Sequence, residues 1–318
     1  MKKVLILFGK SNWRQSKPFR NKDYQYSYEF FYDICKENGV QMYRASYEWY
    51  DYKKQLFKYA WVYESANGNW KRVSNIQPDL IYDKTKARLE IYHKKDLIAQ
   101  RYEFINDLDF TRIIDDKFIV GLLFSKWSKK NLIVRNAVEL QSALKKIPTP
   151  TVVLKPVTES GGTGVQVFSK KAASKISFQG THILQEFIDS SCGVPGVSKG
   201  MHDLRLVMIN DKMIYSYIRE PKKGSFLANF AQGGSLFIVP KKKIPRSVMP
   251  IVLHAKTLFE SFSPRIFTID IMFDVSGTPW VVELNSMPGL YFTPEEKLSM
   301  LKMYQELLRV FKKRLALE

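Results

Sequence analysis

The chain has 318 residues, and its 50 Lys and Arg against 31 Asp and Glu give a formal net charge of +19 at pH 7. A hydrophobic content of 45% and a charged content of 25% are typical of a soluble globular protein with a proper buried core, which excludes a disordered or fibrous chain. The apolar run at Val4–Phe8 is too short for a signal peptide or a membrane span, so we expect a cytoplasmic protein with no membrane partner.

The positive charge predicts an anionic partner, such as a nucleotide, an acidic peptide or nucleic acid. The basic residues are scattered in pairs and short runs such as Lys241–Lys243, which is typical of a solvated surface and argues against specific nucleic-acid binding. Cys35 and Cys192 have no metal-ligand spacing, and we expect free thiols in a reducing compartment.

The first part of the chain, residues 1–112, alternates strand and helix patterns. We predict a helix over Tyr24–Asn38, ending at Gly39, and strands over Val4–Phe8, Val40–Ala45, Lys58–Tyr63 and Asp79–Tyr82. This order predicts an open α/β domain. Its many aromatic residues are expected mostly in the core, with a substrate-lining role as the alternative.

The second part, residues 113–318, mixes helices with antiparallel strand signals. The predicted helices are Lys117–Trp127, Ala137–Lys145 and a terminal amphipathic helix over Pro294–Leu317, whose apolar face includes Leu298. The predicted strands are Leu132–Arg135, Thr151–Lys155, Val165–Phe168, His182–Ile188, Asp203–Ile209, Met213–Arg219, Phe267–Phe273 and Trp280–Asn285. The four histidines form no evident site, and His202 is expected at the surface.

Two strands of a predicted β-hairpin, Phe267–Phe273 and Trp280–Asn285, carry Asp270, Glu283 and Asn285 within apolar surroundings. Buried carboxylates are costly unless a cation meets them. Glu283 and Asn285 share one strand face, and Asp270 on the neighbouring strand can converge with them. Three hard oxygen ligands without Cys or His favour Mg²⁺, and the alternative is a hairpin whose polar side faces solvent.

A glycine-rich loop follows the strand that ends at Lys155, and it contains Glu159, Ser160, Gly161, Gly162 and Gly164. Glycines allow backbone N–H groups to close on phosphate oxygens, and hydroxyl side chains add donors. The loop is not a Walker motif, because its lysine precedes the glycines. A plain glycine-rich hairpin is an equal alternative.

Residues around this loop could complete a nucleotide site. Lys117 and Lys155 could supply positive charge to phosphates, and the strand end Gln185–Ile188 could hold a purine edge by backbone hydrogen bonds. Arg205 and Arg219 lie on consecutive strands of one hairpin and could neutralise a transferring phosphoryl group.

Taken as an ordered series, these motifs resemble the ATP-grasp superfamily of carboxylate–amine ligases, in the branch of the ribosomal-protein glutamate ligase and bacterial glutathione synthetase. The resemblance covers roughly residues 110–292. Its pieces are Asp116-Lys117, Val153–Pro156 with Gly161–Val165, Leu184–Ile188, Asp203–Arg205, Arg219 through Gly224–Phe226, Asn229, Gly233-Gly234, Asp270, Glu283–Asn285 and Pro288-Gly289.

The resemblance implies an ATP-grasp fold of two α+β subdomains that clasp ATP, about 117–188 and 189–318. They are preceded along the chain by the open α/β N-terminal domain. It further implies roles for individual residues. By the resemblance, the ATP phosphates are contacted by Lys117 and Lys155, and a lid over them is formed by Glu159, Ser160, Gly161, Gly162 and Gly164. The adenine hinge is formed by Gln185, Glu186, Phe187 and Ile188, and Asn229 also belongs to the ATP-binding residues. The catalytic residues are Arg205 and Arg219, and two Mg²⁺ are bound by Asp270, Glu283 and Asn285.

The implied reaction is ADP-forming ligation of a carboxylate and an amine through an acyl phosphate. A small-molecule kinase and a non-catalytic basic nucleotide-binding protein remain the alternatives. Leu227 and Gln232 depart from the family pattern near the acceptor, so the ATP half has more support. Lys222, Lys223 and Lys241–Lys243 flank the site in sequence and suggest an acidic peptide or protein tail as acceptor, although a solvated surface explains them equally well.

Overall fold

In the computed structural model, described residues are 1–9, 17–19, 21–85, 89–159, 161–222, 235–293 and 296–317. The strands are β1 (Lys2–Phe8), β2 (Val40–Ser46), β3 (Tyr50–Asp51), β4 (Leu56–Glu64), β5 (Asn69–Ile76), β6 (Leu80–Asp83), β7 (Phe104–Ile105), β8 (Asn131–Val134), β9 (Thr151–Pro156), β10 (Gln166–Ser169), β11 (His182–Glu186), β12 (Asp203–Ile209), β13 (Lys212–Glu220), β14 (Ser235–Ile238), β15 (Ile266–Phe273) and β16 (Pro279–Asn285). The α-helices are α1 (Lys22–Glu37), α2 (Leu89–Ala99), α3 (Leu108–Asp115), α4 (Lys117–Leu123), α5 (Ala137–Lys146), α6 (Met249–Leu258) and α7 (Lys297–Arg314).

The chain divides into two compact units, and neither is a continuous stretch. Unit 1 contains Met1–Phe110, Phe262–Ile266 and Met287–Glu318, and unit 2 contains Thr111–Ser261 and Phe267–Ser286. The division into an N-terminal domain of residues 1–112 and an ATP-grasp domain of residues 113–318 stays a prediction. Within the described ranges, no helix combines the length and apolar character needed to cross a membrane.

Unit 1 is built on a seven-stranded sheet of order β3-β4-β2-β1-β6-β7, with β5 paired to β4. The strands β2, β1, β6 and β7 run parallel, and β3, β4 and β5 add an antiparallel extension. Most aromatic side chains of this unit are buried, as expected for core packing, although Tyr24, Tyr26, Tyr52 and Tyr59 are exposed.

Helix α7 belongs to unit 1, where Tyr304 packs against Phe31 with ring centroids 4.6 Å apart. Its buried side chains include Met300, Met303 and Leu307, whereas Leu298 is 76% exposed. The assignment of Leu298 to the apolar face was wrong, because the helix begins at Lys297 and its first turn lies outside the packed stripe.

Unit 2 contains two sheets, in which the pairs β8–β11, β11–β9, β9–β10, β12–β13, β13–β14 and β15–β16 are antiparallel. The four-stranded sheet has the order β10-β9-β11-β8, and its apolar side chains form a core with those of α5. The five-stranded sheet has the order β14-β13-β12-β15-β16 and contains the strands that carry the predicted arginines, carboxylates and amide.

A β-bulge interrupts the β15–β16 ladder beside the predicted metal site. Asp270 pairs with Glu283, but the next residue, Ile271, pairs with Val281, so Val282 is the extra residue. The bulge reverses the alternation of β16: Val281 and Leu284 are buried, while Trp280, Val282, Glu283 and Asn285 are half-buried. Trp280 therefore lies on the same side of the strand as Glu283.

His202 is buried, which corrects the expectation of a surface position. Its Nδ1 lies 3.2 Å from Ser190 O and 3.1 Å from Gly200 O, and its Nε2 accepts from the backbone N–H of Phe273 at 3.0 Å. Burial lowers the pKa of His202, against the effect of these carbonyls. The neutral imidazole fixes the end of β15 and has a structural role.

Candidate active site

A connected row of ion pairs lies on one face of the five-stranded sheet. The Arg205 guanidinium spans the carboxylate of Asp270, with Nε donating to Oδ1 at 2.6 Å and Nη2 donating to Oδ2. Arg219 Nη2 donates to Asp270 Oδ2 at 2.8 Å and also to Asp203. The structure thus brings the two predicted arginines together with Asp270, and adds Asp203, which the sequence interpretation did not assign.

Strand pairing explains this arrangement. Asp203 lies opposite Arg219 in the β12–β13 ladder, so their side chains leave the same face. The Asp270 side chain has no exposed surface, whereas Arg219 and Arg205 keep 12% and 14% of their side-chain surface. Because a guanidinium carries five donors, each arginine still has N–H groups for a ligand, and Arg219 Nε has no hydrogen-bond partner among the described residues.

The pKa values of the two buried carboxylates in this row, Asp270 and Asp203, are shifted in opposite directions. Burial works to raise the pKa of Asp270, but Arg205 and Arg219 outweigh burial and hold that pKa below its ordinary value. Burial raises the pKa of Asp203 to about 7, because Arg219 only partly offsets the effect of burial and the charge of Asp270 adds to the rise. Asp270 is therefore a firmly ionised centre for both arginines.

Glu283 connects this row to Lys117 at the start of helix α4. Its Oε1 accepts from Asn285 Nδ2 at 3.2 Å and lies 3.9 Å from Arg205 Nη2, while its Oε2 lies 3.6 Å from Lys117 Nζ. Asp116 caps helix α4 by accepting from the backbone N–H groups of its first turn, which fixes the base of Lys117. Lys117 Nζ also donates to Glu159 O at the start of the glycine loop.

Lys155 extends from β9 of the four-stranded sheet towards β16. Its Nζ donates to Val282 O at 3.2 Å, and Val282 is the residue that the bulge removes from the regular ladder. Burial lowers the pKa of Lys155 to about 8, with Glu283 opposing the shift and Lys117 adding to it. A bound anion would stabilise the charged form, so this lysine is suited to a phosphate ligand.

The glycine loop turns sharply beside Lys155. Gly161, Gly162 and Gly164 all have φ near +70°, in the left-handed region that favours glycine. A Cβ at Gly164 would lie 2.8 Å from Pro156 Cγ, so the close approach to the preceding strand also requires glycine there. Ser160 lies outside the described residues.

The predicted adenine hinge begins inside strand β11. Gln185 is buried and is paired on both sides, with β9 and with β8. The backbone N–H of Glu186 donates to Lys130 O at 2.9 Å, so that group already has a partner. Phe187 and Ile188 follow the end of the strand, and the backbone that would contact a base is therefore expected there.

Two pairs of residues that shape this region carried no clear sequence signal. Asp115 accepts from the backbone N–H of Ser286 at 2.8 Å and from its hydroxyl at 2.7 Å, which fixes the chain directly after Asn285. Lys129 contacts Trp280 and two acidic side chains at the other end of β16. Their partners are far away in the sequence. The only sequence signal for Asp115 is its position as an acidic residue just before a predicted helix.

Other predicted residues cannot be placed. Asn229, the Gly224–Phe226 segment, Leu227, Gln232 and the Gly233-Gly234 pair lie outside the described residues, as does Lys223. The structure therefore covers the arginine, carboxylate and lysine parts of the predicted site.

The donor set at β15 and β16 fits magnesium. Asp270, Glu283 and Asn285 offer hard oxygens; Asp270 Oδ2 already accepts from both arginines, whereas its Oδ1 accepts from Arg205 Nε and keeps a further lone pair. Among the described residues no group of three or more His, Cys, Asp or Glu side chains is arranged to hold a metal. Mg²⁺ usually takes one or two carboxylates and completes its shell with phosphate oxygens and water.

The comparison with protein families identifies the class. The model of the RimK-like ATP-grasp domain family matches residues 122–309, more than half of the chain. The chain belongs to this family, and the predicted resemblance and fold class are confirmed.

Curated relatives match over shorter parts. The chain is 29% identical over 192 residues to a probable alpha-L-glutamate ligase of Shewanella halifaxensis, a match that covers 57% of this chain and 38% of the relative. It is 34% identical over 108 residues to a protein of the same name from Legionella pneumophila, covering 34% of this chain and 31% of the relative. The chain thus spans less than half the length of these relatives.

Solved structures share the fold along the whole chain. D-alanyl-alanine synthetase A from Vibrio cholerae has a TM-score of 0.65 at 11% identity and covers 99% of this chain and 98% of its own. D-cycloserine synthetase has a TM-score of 0.64 at 12% identity, with 96% and 99% covered. At this identity the likeness establishes the fold.

Proposed function

We propose that this protein is an ATP- and Mg²⁺-dependent ligase that joins a carboxylate to an amine through an acyl phosphate. The observation that carries the proposal is the convergence on β16. Lys117 and Lys155 from one side meet the strand at Glu283 and Val282, while Arg205 and Arg219 meet its neighbour at Asp270. Four cations around buried carboxylates are suited to a triphosphate and a transferring phosphoryl group.

The reaction proceeds in two steps. An oxygen of the substrate carboxylate attacks the γ-phosphorus of ATP, the bond to the β,γ-bridging oxygen breaks, and ADP leaves. The amine nitrogen then attacks the acyl carbon and loses a proton, and the acyl carbon–oxygen bond breaks to release phosphate. The protein contributes positioning and neutralisation of charge, which is how phosphoryl transfer is catalysed in general.

Each group of residues has a role in this scheme. Lys117 and Lys155 neutralise the phosphates under a lid formed by Glu159–Gly164, and Phe187 and Ile188 with Gln185 and Glu186 form the hinge for adenine. Arg205 and Arg219 stabilise the charge that develops on the phosphoryl group and the tetrahedral intermediate. Asn229 is assigned to the ATP site through the family resemblance. The ATP-grasp part is proposed to be 113–318.

Asp270, Glu283 and Asn285 would hold the metal. We infer that these residues would hold two Mg²⁺ ions, and Mn²⁺ is the alternative ion. When bound, the ions would neutralise phosphate oxygens and hold the triphosphate in place. The amide of Asn285, which now donates to Glu283, would present its oxygen instead.

The decisive experiment measures ADP and phosphate release with amino acids and acidic peptides, followed by mass spectrometry of the products. The names of the curated relatives make glutamate the first amine to test. Hydroxylamine separates ligase from kinase, because only an acyl phosphate yields a hydroxamate. If Mg²⁺–ATP fails to raise the melting temperature, the protein does not bind ATP and the proposal is wrong.

We further propose that the carboxylate acceptor is an acidic peptide or protein tail. Lys222 and Lys241–Lys243 are exposed and lie on the same unit as the site. In the β13–β14 ladder Arg219 pairs with Leu236 and Tyr217 with Ile238, so the lysine run lies roughly 15 Å along the sheet from Arg219. An extended acidic chain of several residues would be needed to reach from the arginines to these lysines.

A matched pair of variants tests the acceptor. Lys242→Gln with Lys243→Gln should raise the KM for an acidic peptide and weaken its dependence on salt. Lys145→Gln with Lys146→Gln, two exposed lysines of α5, should leave both unchanged. Equal behaviour of the two double variants would contradict the acidic-tail proposal and leave the ligase proposal intact.

A further inference from the structure

Lys129 is a third lysine at strand β16, and the scheme above gives it no role. It lies two residues before the start of β8, and its side chain is only 18% exposed. Its Nζ lies 3.5 Å from Glu186 Oε1, 3.8 Å from Asp274 Oδ2 and 4.0 Å from the centre of the Trp280 ring. A lysine with two carboxylates and an aromatic face as partners is held in one place.

The partners of Lys129 belong to both sheets of unit 2. Glu186 ends β11 of the four-stranded sheet, and its backbone N–H is bonded to Lys130 O. Asp274 begins the β15–β16 turn, where its Oδ1 accepts from Ser276 and its Oδ2 accepts from Trp280 Nε1 at 2.8 Å. Lys129 therefore joins the predicted adenine hinge to the end of the hairpin that carries the metal ligands.

The three lysines contact β16 at successive points along the strand. Lys129 contacts it at Trp280, Lys155 at Val282 and Lys117 at Glu283. A strand rises about 3.3 Å per residue, so Trp280 lies roughly 10 Å from the carboxylate end. With the phosphates at Lys155 and Lys117, the Trp280 end is where the ribose and the base extend.

The bulge makes this contact possible. In a regular strand with Val282 in the ladder, alternation would put Trp280 on the opposite face from Glu283. With the bulge, the indole lies on the face of the carboxylates, where Lys129 covers its ring. The same local irregularity thus gives Lys155 its acceptor and Lys129 its aromatic partner.

We propose that Lys129 is a positioning residue for the nucleotide base: it fixes the distance between the Glu186 hinge and the Trp280 end of the hairpin. This inference rests on the proposed ATP-dependent function. Without the lysine, the carboxylates of Glu186 and Asp274 would both lie near an uncovered indole with no charge between them, and their repulsion would move the hinge away from the hairpin. Phosphate contacts at Lys117 and Lys155 would remain.

The test replaces Lys129 by Met, which keeps the length of the side chain and removes its charge. We expect the KM and the dissociation constant for ATP to rise about tenfold, with kcat within about twofold of the wild type, because the reacting phosphates keep their ligands. Lys129→Arg should restore most of the affinity, since a guanidinium can also pair with carboxylates and stack on an indole. Lys130→Met, an exposed neighbour whose bond to Glu186 uses only the backbone, is the matched control.

The outcomes separate this inference from the proposed function. If the wild type does not bind ATP, the proposed function and the inference both fail. If the wild type binds ATP and Lys129→Met changes the KM by less than about twofold, or loses kcat and keeps its KM, only the inference fails. A fall in melting temperature without a change in ATP affinity would reduce Lys129 to a purely structural role and would also overturn it.

Discussion

The two units contain buried charges of different kinds. In unit 1, Lys95 has no exposed surface and pairs with the almost fully buried Asp83 at 2.7 Å. Asp83 also accepts from Thr85 N at 2.9 Å and from Thr85 Oγ1 at 2.7 Å. In unit 2, charges form a row from Asp203 through Arg219, Asp270 and Arg205 to Glu283, and side-chain exposure rises along it from 0% at Asp270 to 19% at Glu283.

From this difference we infer a structural role for the buried pair of unit 1 and propose a functional role for the row of unit 2. A buried pair whose hydrogen bonds are all made within the protein has nothing to offer to a ligand. A row that begins at a buried anion and ends at partly exposed groups keeps donors and lone pairs where a ligand can reach them. We therefore expect variants of the first kind to change stability and variants of the second to change activity.

The largest effect is expected from Lys95→Met in unit 1. It leaves Asp83 buried without its counter-ion, which should lower the free energy of unfolding by about 3–5 kcal/mol. Chemical denaturation measures this loss. The double variant Asp83→Asn with Lys95→Met should recover much of it, and the folded fraction should keep its KM for ATP. A loss below about 1 kcal/mol would contradict the comparison.

The next effect is on catalysis, from Asp270→Asn in unit 2. Both arginines lose the anion that orients them, and the proposed Mg²⁺ site loses one of its ligands, so kcat should fall about 100- to 1000-fold. Release of ADP measures it. Asp211→Asn, an exposed carboxylate on the β12–β13 turn, is the control. Undiminished turnover of the Asp270 variant would refute the assignment of the site.

A smaller effect is expected where the carboxylate end of β16 is fixed to the chain before α4. Asp115→Ala removes the acceptor of the Ser286 N–H and hydroxyl, which should cost about 1–3 kcal/mol of stability. Because Ser286 follows Asn285, the Mg²⁺ concentration needed for half-maximal activity should also rise. Ser276→Ala in the exposed turn should leave the magnesium requirement unchanged, and equal values for both variants would contradict the link.

The smallest effect is a pH dependence in unit 1. Burial lowers the pKa of Lys84 to about 7, against the effect of Asp83, and its Nζ donates to Pro288 O. The unfolded chain therefore binds a proton that the folded chain has released between pH 7 and the ordinary lysine pKa of about 10.4. Stability from this group should rise with pH across that window, by no more than about 1.4 kcal/mol per pH unit.

Denaturation midpoints from pH 6.5 to 9 check this, with Lys84→Met as the comparison. The variant should lose the upward slope that Lys84 contributes. Parallel curves for the two proteins would show that Lys84 has the same pKa in the folded and the unfolded chain.

Much of the geometry of the candidate site could be predicted because its signals are local. Asp270 and Glu283 stand out as carboxylates within apolar strands, and Arg205 and Arg219 follow from the alternation of one hairpin. The family resemblance then supplied the order. These features need only the spacing of residues within one or two neighbouring strands.

The rest depends on contacts between distant parts of the chain. No rule of alternation indicates the extra residue Val282, so the facing of Trp280 could not be predicted. Burial of His202 follows from carbonyls that only the folded chain brings together. Helix α6 and strand β5 were not predicted, because α6 is apolar on nearly all sides and β5 is largely polar and exposed.

The bulge at Val282 has a consequence for how this sequence can change. Substitutions in β16 alter one side chain at a time, whereas the loss of a single codon there would change the parity of the strand. Loss of a residue outside the bulge would turn one end of the strand over relative to the other, whereas loss of Val282 itself would leave Trp280 and Glu283 on one face and remove the carbonyl that accepts from Lys155. Insertions and deletions of a single residue in this strand should therefore be tolerated far less often than substitutions.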